Sequence, residues 1–119
     1  QDAAIGETVR AQPFDLLVTI GGASVGDHDR VKPALTAIGA ILHLEGVAMR
    51  PGRPVWFAVL ADGTPVLGLP GNPASALVCA ELFLAPLLAR MRGGAIERRF
   101  LTGILTQPLP ANGPRDHYM

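Results

Sequence analysis

The sequence predicts an α/β domain built around a parallel sheet, and three observations predict it. A short apolar run, residues 14–20 (Phe-Asp-Leu-Leu-Val-Thr-Ile), ends at Gly21-Gly22. A helical pattern follows a polar loop, with Val31, Leu35 and Ile38 on one face. A second distinctive loop, Pro70-Gly71-Asn72-Pro73, opens a longer apolar helix. Continuous apolarity, in place of alternation, fits a strand covered on both faces, as in a parallel sheet. Strand, glycine loop and helix together form the first half of a β-α-β crossover.

The elements follow in order. The loop 21–29 leads to Asp29, a good cap for the first helix, which Gly39 ends. Residues 40–49 read as the next strand. Arg50-Pro51-Gly52-Arg53-Pro54 is a turn carrying two arginines. Strands are expected at 55–60 and 65–69, joined by a hairpin turn at Asp62-Gly63. Asn72 suits an N-cap and Pro73 a first helical residue. That helix should run to about Met91 as a buried helix, kinked or split by Pro86, and stop at Gly93-Gly94. Composition changes after it. Residues 98–105 look like a new strand, and Asn112-Gly113-Pro114 like a turn. The expected division is 1–96 for the α/β domain and 97–119 for the start of an incomplete β domain.

Composition narrows the function classes. The chain has 119 residues, 49% of them apolar and 17% charged, which suits one folded domain and argues against disorder. Ten basic residues offset ten acidic ones, so bulk binding to nucleic acid or to an anionic membrane is not expected. An anion site must be local. The longest apolar stretch contains Glu81 and Pro86 and falls short of the ~20 residues that span a bilayer. The amino terminus has no signal-peptide pattern and no initiator Met, which fits a fragment. A single cysteine, Cys79, forms no internal disulfide and reads as a small buried hydrophobe; a cytoplasmic location is expected. His28, His43 and His117 are too far apart for a metal motif.

Three constellations carry candidate chemistry. In Gly21-Gly22-Ala23-Ser24-Val25-Gly26-Asp27-His28-Asp29, glycines let the backbone approach a ligand closely. Backbone N–H groups and the Ser24 hydroxyl suit a phosphate, and the carboxylates then call for a hard cation such as Mg²⁺. The alternative is a tight turn with Asp29 as a plain cap. In the segment from Gly68 to Ser75, Pro70 and Pro73 fix the backbone and the helix start offers N–H groups to an anion. The alternative is a well-built helix start. Arg50 and Arg53 form either an oxyanion clamp or a solvated turn. His28 is either a base, a ligand or a loop residue, His43 a core or edge residue, and Trp56 and Phe57 are expected in the core.

The order and spacing of these segments resemble molybdopterin molybdotransferases, enzymes related to the E domain of gephyrin. The resemblance lies in Gly-Gly-x-Ser-x-Gly-x-x-Asp (Gly21 to Asp29), basic-Pro-Gly-basic-Pro (Arg50 to Pro54) and Gly-Leu-Pro-Gly-Asn-Pro-x-Ser-Ala (Gly68 to Ala76), and runs over nearly the whole chain. It implies a three-layer α/β/α domain with a mostly parallel sheet, followed by the start of a C-terminal β domain. It implies that adenylylated molybdopterin and molybdate bind, that the anhydride is hydrolysed with a divalent cation, Mg²⁺ or another, and that AMP leaves. By position, Asp29 stands for the family's active-site carboxylate near metal or molybdate. Gly21, Gly22, Ser24 and Gly26 would hold phosphates. Pro70 and Pro73 would line the cleft, with Gly71, Asn72 and Ser75 beside them and Arg50 and Arg53 as ligands.

The chain departs from that pattern in two respects. The family's basic turn usually carries lysines, where this chain has Arg50 and Arg53. Family enzymes also have further domains on both sides, with part of the active site and most of a homodimer interface in them. The fragment alone is therefore expected to be inactive. An adenylyltransferase partner of the whole enzyme is also implied. Two alternatives share the fold or the family: a molybdopterin adenylyltransferase or competence-damage-type nucleotide hydrolase, which lack the Pro-Gly-Asn-Pro segment, and a gephyrin-like peptide-binding scaffold.

Overall fold

A computed structural model describes residues 2–21, 30–96 and 101–118. The elements are α1 (Asp2–Arg10), β1 (Leu17–Ile20), α2 (Val31–Ala37), β2 (Ile41–Glu45), β3 (Met49–Arg50), β4 (Trp56–Val59), β5 (Pro65–Leu69), α3 (Pro73–Cys79), a π-helical stretch (Ala80–Leu84), α4 (Ala85–Met91) and β6 (Asp116–His117). Four strands form one sheet in the order β1-β5-β4-β2.

The sheet is a two-sided partition. Its strands point successive side chains to opposite faces, and two cores result. On one face Trp56, Ala58 and Val66 pack with Leu35 and Ala40, and Val9, Leu17, Val31 and Ile38 close over them from α1, β1 and α2. On the other, Val55, Leu67 and Leu69 pack with Met49 and Cys79, joined by Val18, Phe57, Ala76, Leu82, Phe83 and Leu87. Helices therefore cover both faces, the expected three-layer α/β/α arrangement. Leu17 and Val18 of β1 serve opposite cores, which is why that strand reads as continuously apolar.

The sheet is mixed, which corrects the expectation of a mostly parallel one. Within the four-stranded sheet, β1 and β5 pair in parallel, while β4 runs antiparallel to both β5 and β2. Connection length decides this. A parallel pair needs a long crossover, whereas β4 and β5 are joined by a tight hairpin. In that hairpin Leu60 N–H donates to Thr64 O at 2.8 Å, Gly63 N–H to Leu60 O at 2.9 Å, and Gly63 takes φ +89°. Asp62 Oδ1 accepts from Thr64 N–H at 2.9 Å. The turn thus forms where Asp62-Gly63 was expected.

Other boundaries shift. The expected strand over 40–49 is two, because Gly46 (φ +79°) bends the chain between Glu45 and Met49. All of β2 is exposed and its register slips between Leu42 and Leu44, as suits an edge strand. Helix α1 was not anticipated. It crosses close to the end of α2, where a Cβ on Gly6 would stand 3.0 Å from Ile38 Cγ2.

The helix from Pro73 to Met91 is continuous, so Pro86 neither breaks nor splits it. The π-helical stretch ends at Leu84, two residues before the proline. A wider turn there eases the clash between a proline ring and the preceding carbonyl. Gly94 N–H returns to Ala89 O at 2.9 Å, and Gly93 takes φ +78°, which closes the helix at the expected glycines. The helix is long and apolar enough to cross a membrane by length and composition. Contrary to expectation, it is buried along one face only. Of its residues only Cys79 is fully buried, while Leu77 is 73% exposed.

Beyond the helix, residues 101–105 are irregular where a strand was expected, with Leu101 and Ile104 almost fully exposed. The exposed β6 pairs in parallel with β3. A β domain of its own is not seen among residues 101–118.

Candidate functional site

Strand pairing brings Gly21, the Pro-Gly-Asn-Pro loop and the basic turn to one edge. Because β1 and β5 are parallel with Ile20 opposite Leu69, their carboxyl ends finish side by side. Gly21 N–H continues the ladder by donating to Leu69 O at 3.1 Å. Gly21 takes φ +84°, which turns the chain off the sheet, and a Cβ on Gly71 would stand 3.4 Å from Gly21 Cα. Gly21 and the Pro-Gly-Asn-Pro loop therefore leave the sheet side by side. Since β4 is antiparallel to β5 with Trp56 opposite Gly68, its amino end, reached from the basic turn, lies at the same edge. Open α/β sheets bind ligands outside the carboxyl ends of their strands.

The loops differ in how much is free for a ligand. Asn72 takes extended geometry (φ −72°, ψ 126°), and its Oδ1 accepts from Ser75 N–H at 3.1 Å, so it is the helix cap. Ala76 N–H donates to Asn72 O at 2.8 Å, and Pro73 has no N–H. The helix start thus spends most of its donors on itself, leaving Ala74 N–H. Pro70 is buried, whereas Gly71, Asn72 and Pro73 are exposed and Ser75 is half-buried.

The glycine that opens this motif has a packing role. A Cβ on Gly68 would come within 1.9 Å of the Trp56 indole. Gly68 is therefore required by the packing of Trp56. Trp56 is 1% exposed, and its Nε1 and the Thr19 hydroxyl on β1 are buried without a hydrogen-bond partner among the described residues.

The basic turn is tied down by its backbone. Val47 N–H donates to Arg53 O at 2.9 Å, Tyr118 N–H to Arg50 O at 2.8 Å, and Val55 N–H to Gly52 O at 3.1 Å. Arg50-Pro51 is a cis peptide and Gly52 takes φ +107°. Both arginine side chains are exposed, and neither has an ion-pair partner among the described residues. Gly52, overlooked in the sequence, sits against Cys79, whose Sγ donates to Gly52 O at 3.7 Å. Burial pushes the Cys79 thiol up from its ordinary value, so it stays protonated.

The expected residues Gly22, Ser24, Gly26 and Asp29, with His28, lie outside the described residues. Among the described ones, no group of three His, Cys, Asp or Glu side chains converges as a metal site would. The described part of the edge offers guanidinium groups, N–H donors and hydroxyls. Those suit an oxyanion, not a divalent cation. His43 lies on the exposed edge strand against Phe57, with ring centroids 6.3 Å apart. A groove of about 580 Å³ opens at the opposite end of the sheet, lined by Val9, Arg10, Phe14, Ile38, Leu60 and Asp62 among others. It is remote from the motif loops.

Known proteins share this sequence and fold. Residues 1–90 match the family described as "Probable molybdopterin binding domain". The chain is 37% identical over 122 aligned positions to a molybdopterin molybdenumtransferase of Nostoc sp., covering 98% of this chain and 28% of that protein. It is 36% identical to a gephyrin of Dictyostelium discoideum, over 70% of this chain and 14% of that one. In structure it is similar to a molybdopterin biosynthesis MoeA protein of Pyrococcus horikosii, with a TM-score of 0.60 and 35% identity over 77% of this chain and 21% of the other. The chain thus spans little more than a quarter of the length of the Nostoc relative. With the family match over its first 90 residues and the shared α/β fold, the chain belongs to the molybdopterin-binding domain family.

Proposed function

We propose that this chain is the loop-bearing part of a molybdopterin molybdenumtransferase, which inserts molybdate into adenylylated molybdopterin and releases AMP. The observation that supports the reading is the Gly21–Leu69 hydrogen bond, which sets Gly21, the first residue of the glycine motif, beside the start of the Pro-Gly-Asn-Pro loop. The names of the Nostoc relative and of others at 40–43% identity support the activity.

In this reading the edge binds and orients oxyanions. Arg50 and Arg53 hold molybdate or a phosphate of the nucleotide through charged hydrogen bonds. With most helix-start N–H groups already used, the charge comes from the arginines, and Ala74 N–H adds one donor. Pro70 and Pro73 keep the loop between them from yielding when the ligand arrives. Gly21, Gly22, Ser24 and Gly26 cradle phosphate, and Asp29 meets a divalent cation such as Mg²⁺, which would neutralise charge on the anhydride. A cytoplasmic homodimer of the whole enzyme, with residues 97–119 starting its next domain, belongs to the same reading.

The test grafts this chain into the matching segment of the Nostoc relative and measures AMP release coupled to molybdate insertion. The graft should turn over, and Arg53→Ala in it should do so at least about tenfold less efficiently at limiting molybdate or nucleotide. A folded graft that binds neither molybdate nor AMP would sink the reading.

A further inference from the structure

The basic turn and the Pro-Gly-Asn-Pro loop meet on one helix. Asn72 caps that helix, and Cys79 lies six residues beyond Pro73, roughly 9 Å along the axis at 1.5 Å per residue. The Gly52 segment of the basic turn seats on Cys79. A Cβ added to Gly52 would stand 2.5 Å from Cys79 Sγ and 3.0 Å from Met49 Cε. Cys79 is 0% exposed and donates to Gly52 O. Nothing larger than a hydrogen fits between turn and helix, and Gly52's φ of +107° disfavours any side chain independently. The backbone carbonyls of the arginines flanking this seat accept from Tyr118 and Val47 N–H, while their side chains are exposed.

We propose that Gly52 and Cys79 are positioning residues: their contact fixes how far Arg50 and Arg53 stand from the amino end of the helix, and so sets the oxyanion affinity of this edge without touching the ligand. This rests on the oxyanion reading above. The physical reason is that charged hydrogen bonds are selective in distance and angle, so a shift of ~1 Å in their support is costly in binding. The buried thiol suits this role. It remains a protonated donor, and its sulfur fills the space under the turn.

A double-mutant cycle with molybdate as the probe, on the full 119-residue chain, separates positioning from mere stability. Calorimetric dissociation constants would be measured for wild type, Gly52→Ala, Arg53→Ala and the double variant, with melting temperatures beside them. Gly52→Ala should weaken molybdate binding by about tenfold in the wild-type background and by less than about twofold when Arg53 is already alanine, because residues acting through one group are not additive. Cys79→Ser, which keeps size and donor, should bind within about threefold of wild type, while Cys79→Ala should repeat the Gly52→Ala pattern more weakly. If Gly52→Ala does not fold, the Cys79→Ala cycle decides. An equal loss in both backgrounds, or no loss, overturns the positioning role while leaving the arginine site standing. Absence of molybdate binding by the folded wild-type chain overturns the oxyanion reading, and this inference with it.

Discussion

The indole of Trp56 lies on the Cα of Gly68, across the β4–β5 pairing, with no room for a methyl group between them. The first glycine of the Gly-Leu-Pro-Gly segment is thereby a consequence of a core tryptophan in the neighbouring strand. Gly68→Ala should destabilise the fold by about 1–3 kcal/mol or more, the cost of forcing an extra carbon into a packed core. Trp56→Ala should cost ~3–5 kcal/mol by leaving a cavity. The two should be strongly non-additive, since the cavity accepts the new methyl group. Urea denaturation of both single variants and the double variant checks this; additive losses would contradict the contact.

Asn72 joins stability to binding. Its side chain caps the helix through Ser75 N–H, so Asn72→Ala should cost about 1 kcal/mol. Asn72→Asp keeps the cap and places a negative charge at the edge where Arg50 and Arg53 stand. The melting temperature should stay near wild type while molybdate binding weakens, an effect that added salt reduces. Unchanged binding in the aspartate variant would place the anion elsewhere.

The hairpin turn supplies a pH signature distant from the site. The Thr64 N–H, with the Thr64 side chain second, holds the Asp62 carboxyl below its ordinary value of 3.8. A depressed carboxylate contributes stability that is present above the unfolded value and lost as pH falls through the folded one. The melting temperature should therefore show an extra decline below about pH 4 that Asp62→Asn lacks. The effect should be small, because the carboxyl is fully exposed. Parallel curves for the two proteins from pH 5 to 2 would count against the turn.

Local signals were legible where they act over a few residues. Asn72-Pro73, Asp62-Gly63 and Gly93-Gly94 each mark a feature found in place, because capping and turn chemistry depend on neighbours in the chain. Relations across the sheet were not legible. The roles of Gly68 and Gly52 depend on Trp56 and Cys79, which only strand register and helix docking bring near. The expected hairpin at Asp62-Gly63 is in place, but the sheet's mixed character was not legible, because an apolar run fits a covered strand in either orientation. Helix α1 has only Ile5 and Val9 as large apolar residues, too weak a period to announce itself. That Gly21, the basic turn and the Pro-Gly-Asn-Pro loop meet follows from the expected hairpin together with the β1–β5 register, which spacing does not reveal.

Arg53 offers the sharpest test of the edge. Its carbonyl is engaged by Val47 N–H, so the backbone is fixed, while the guanidinium is exposed without an ion-pair partner among the described residues. A rigid backbone with a free charged head lowers the entropy lost on binding. Arg53→Ala should weaken molybdate or AMP binding by about 1.5–3 kcal/mol, the range for hydrogen bonds to charged groups. Stability should hardly change, because an exposed arginine without a partner adds little to folding. Arg53→Lys keeps the charge but loses the bidentate fork, so it should bind between wild type and alanine, nearer wild type if charge dominates and nearer alanine if the fork does. Titrating molybdate and AMP separately against the three proteins also identifies which ligand the turn contacts. Equal dissociation constants for both ligands across all three would make the basic turn a solvated loop.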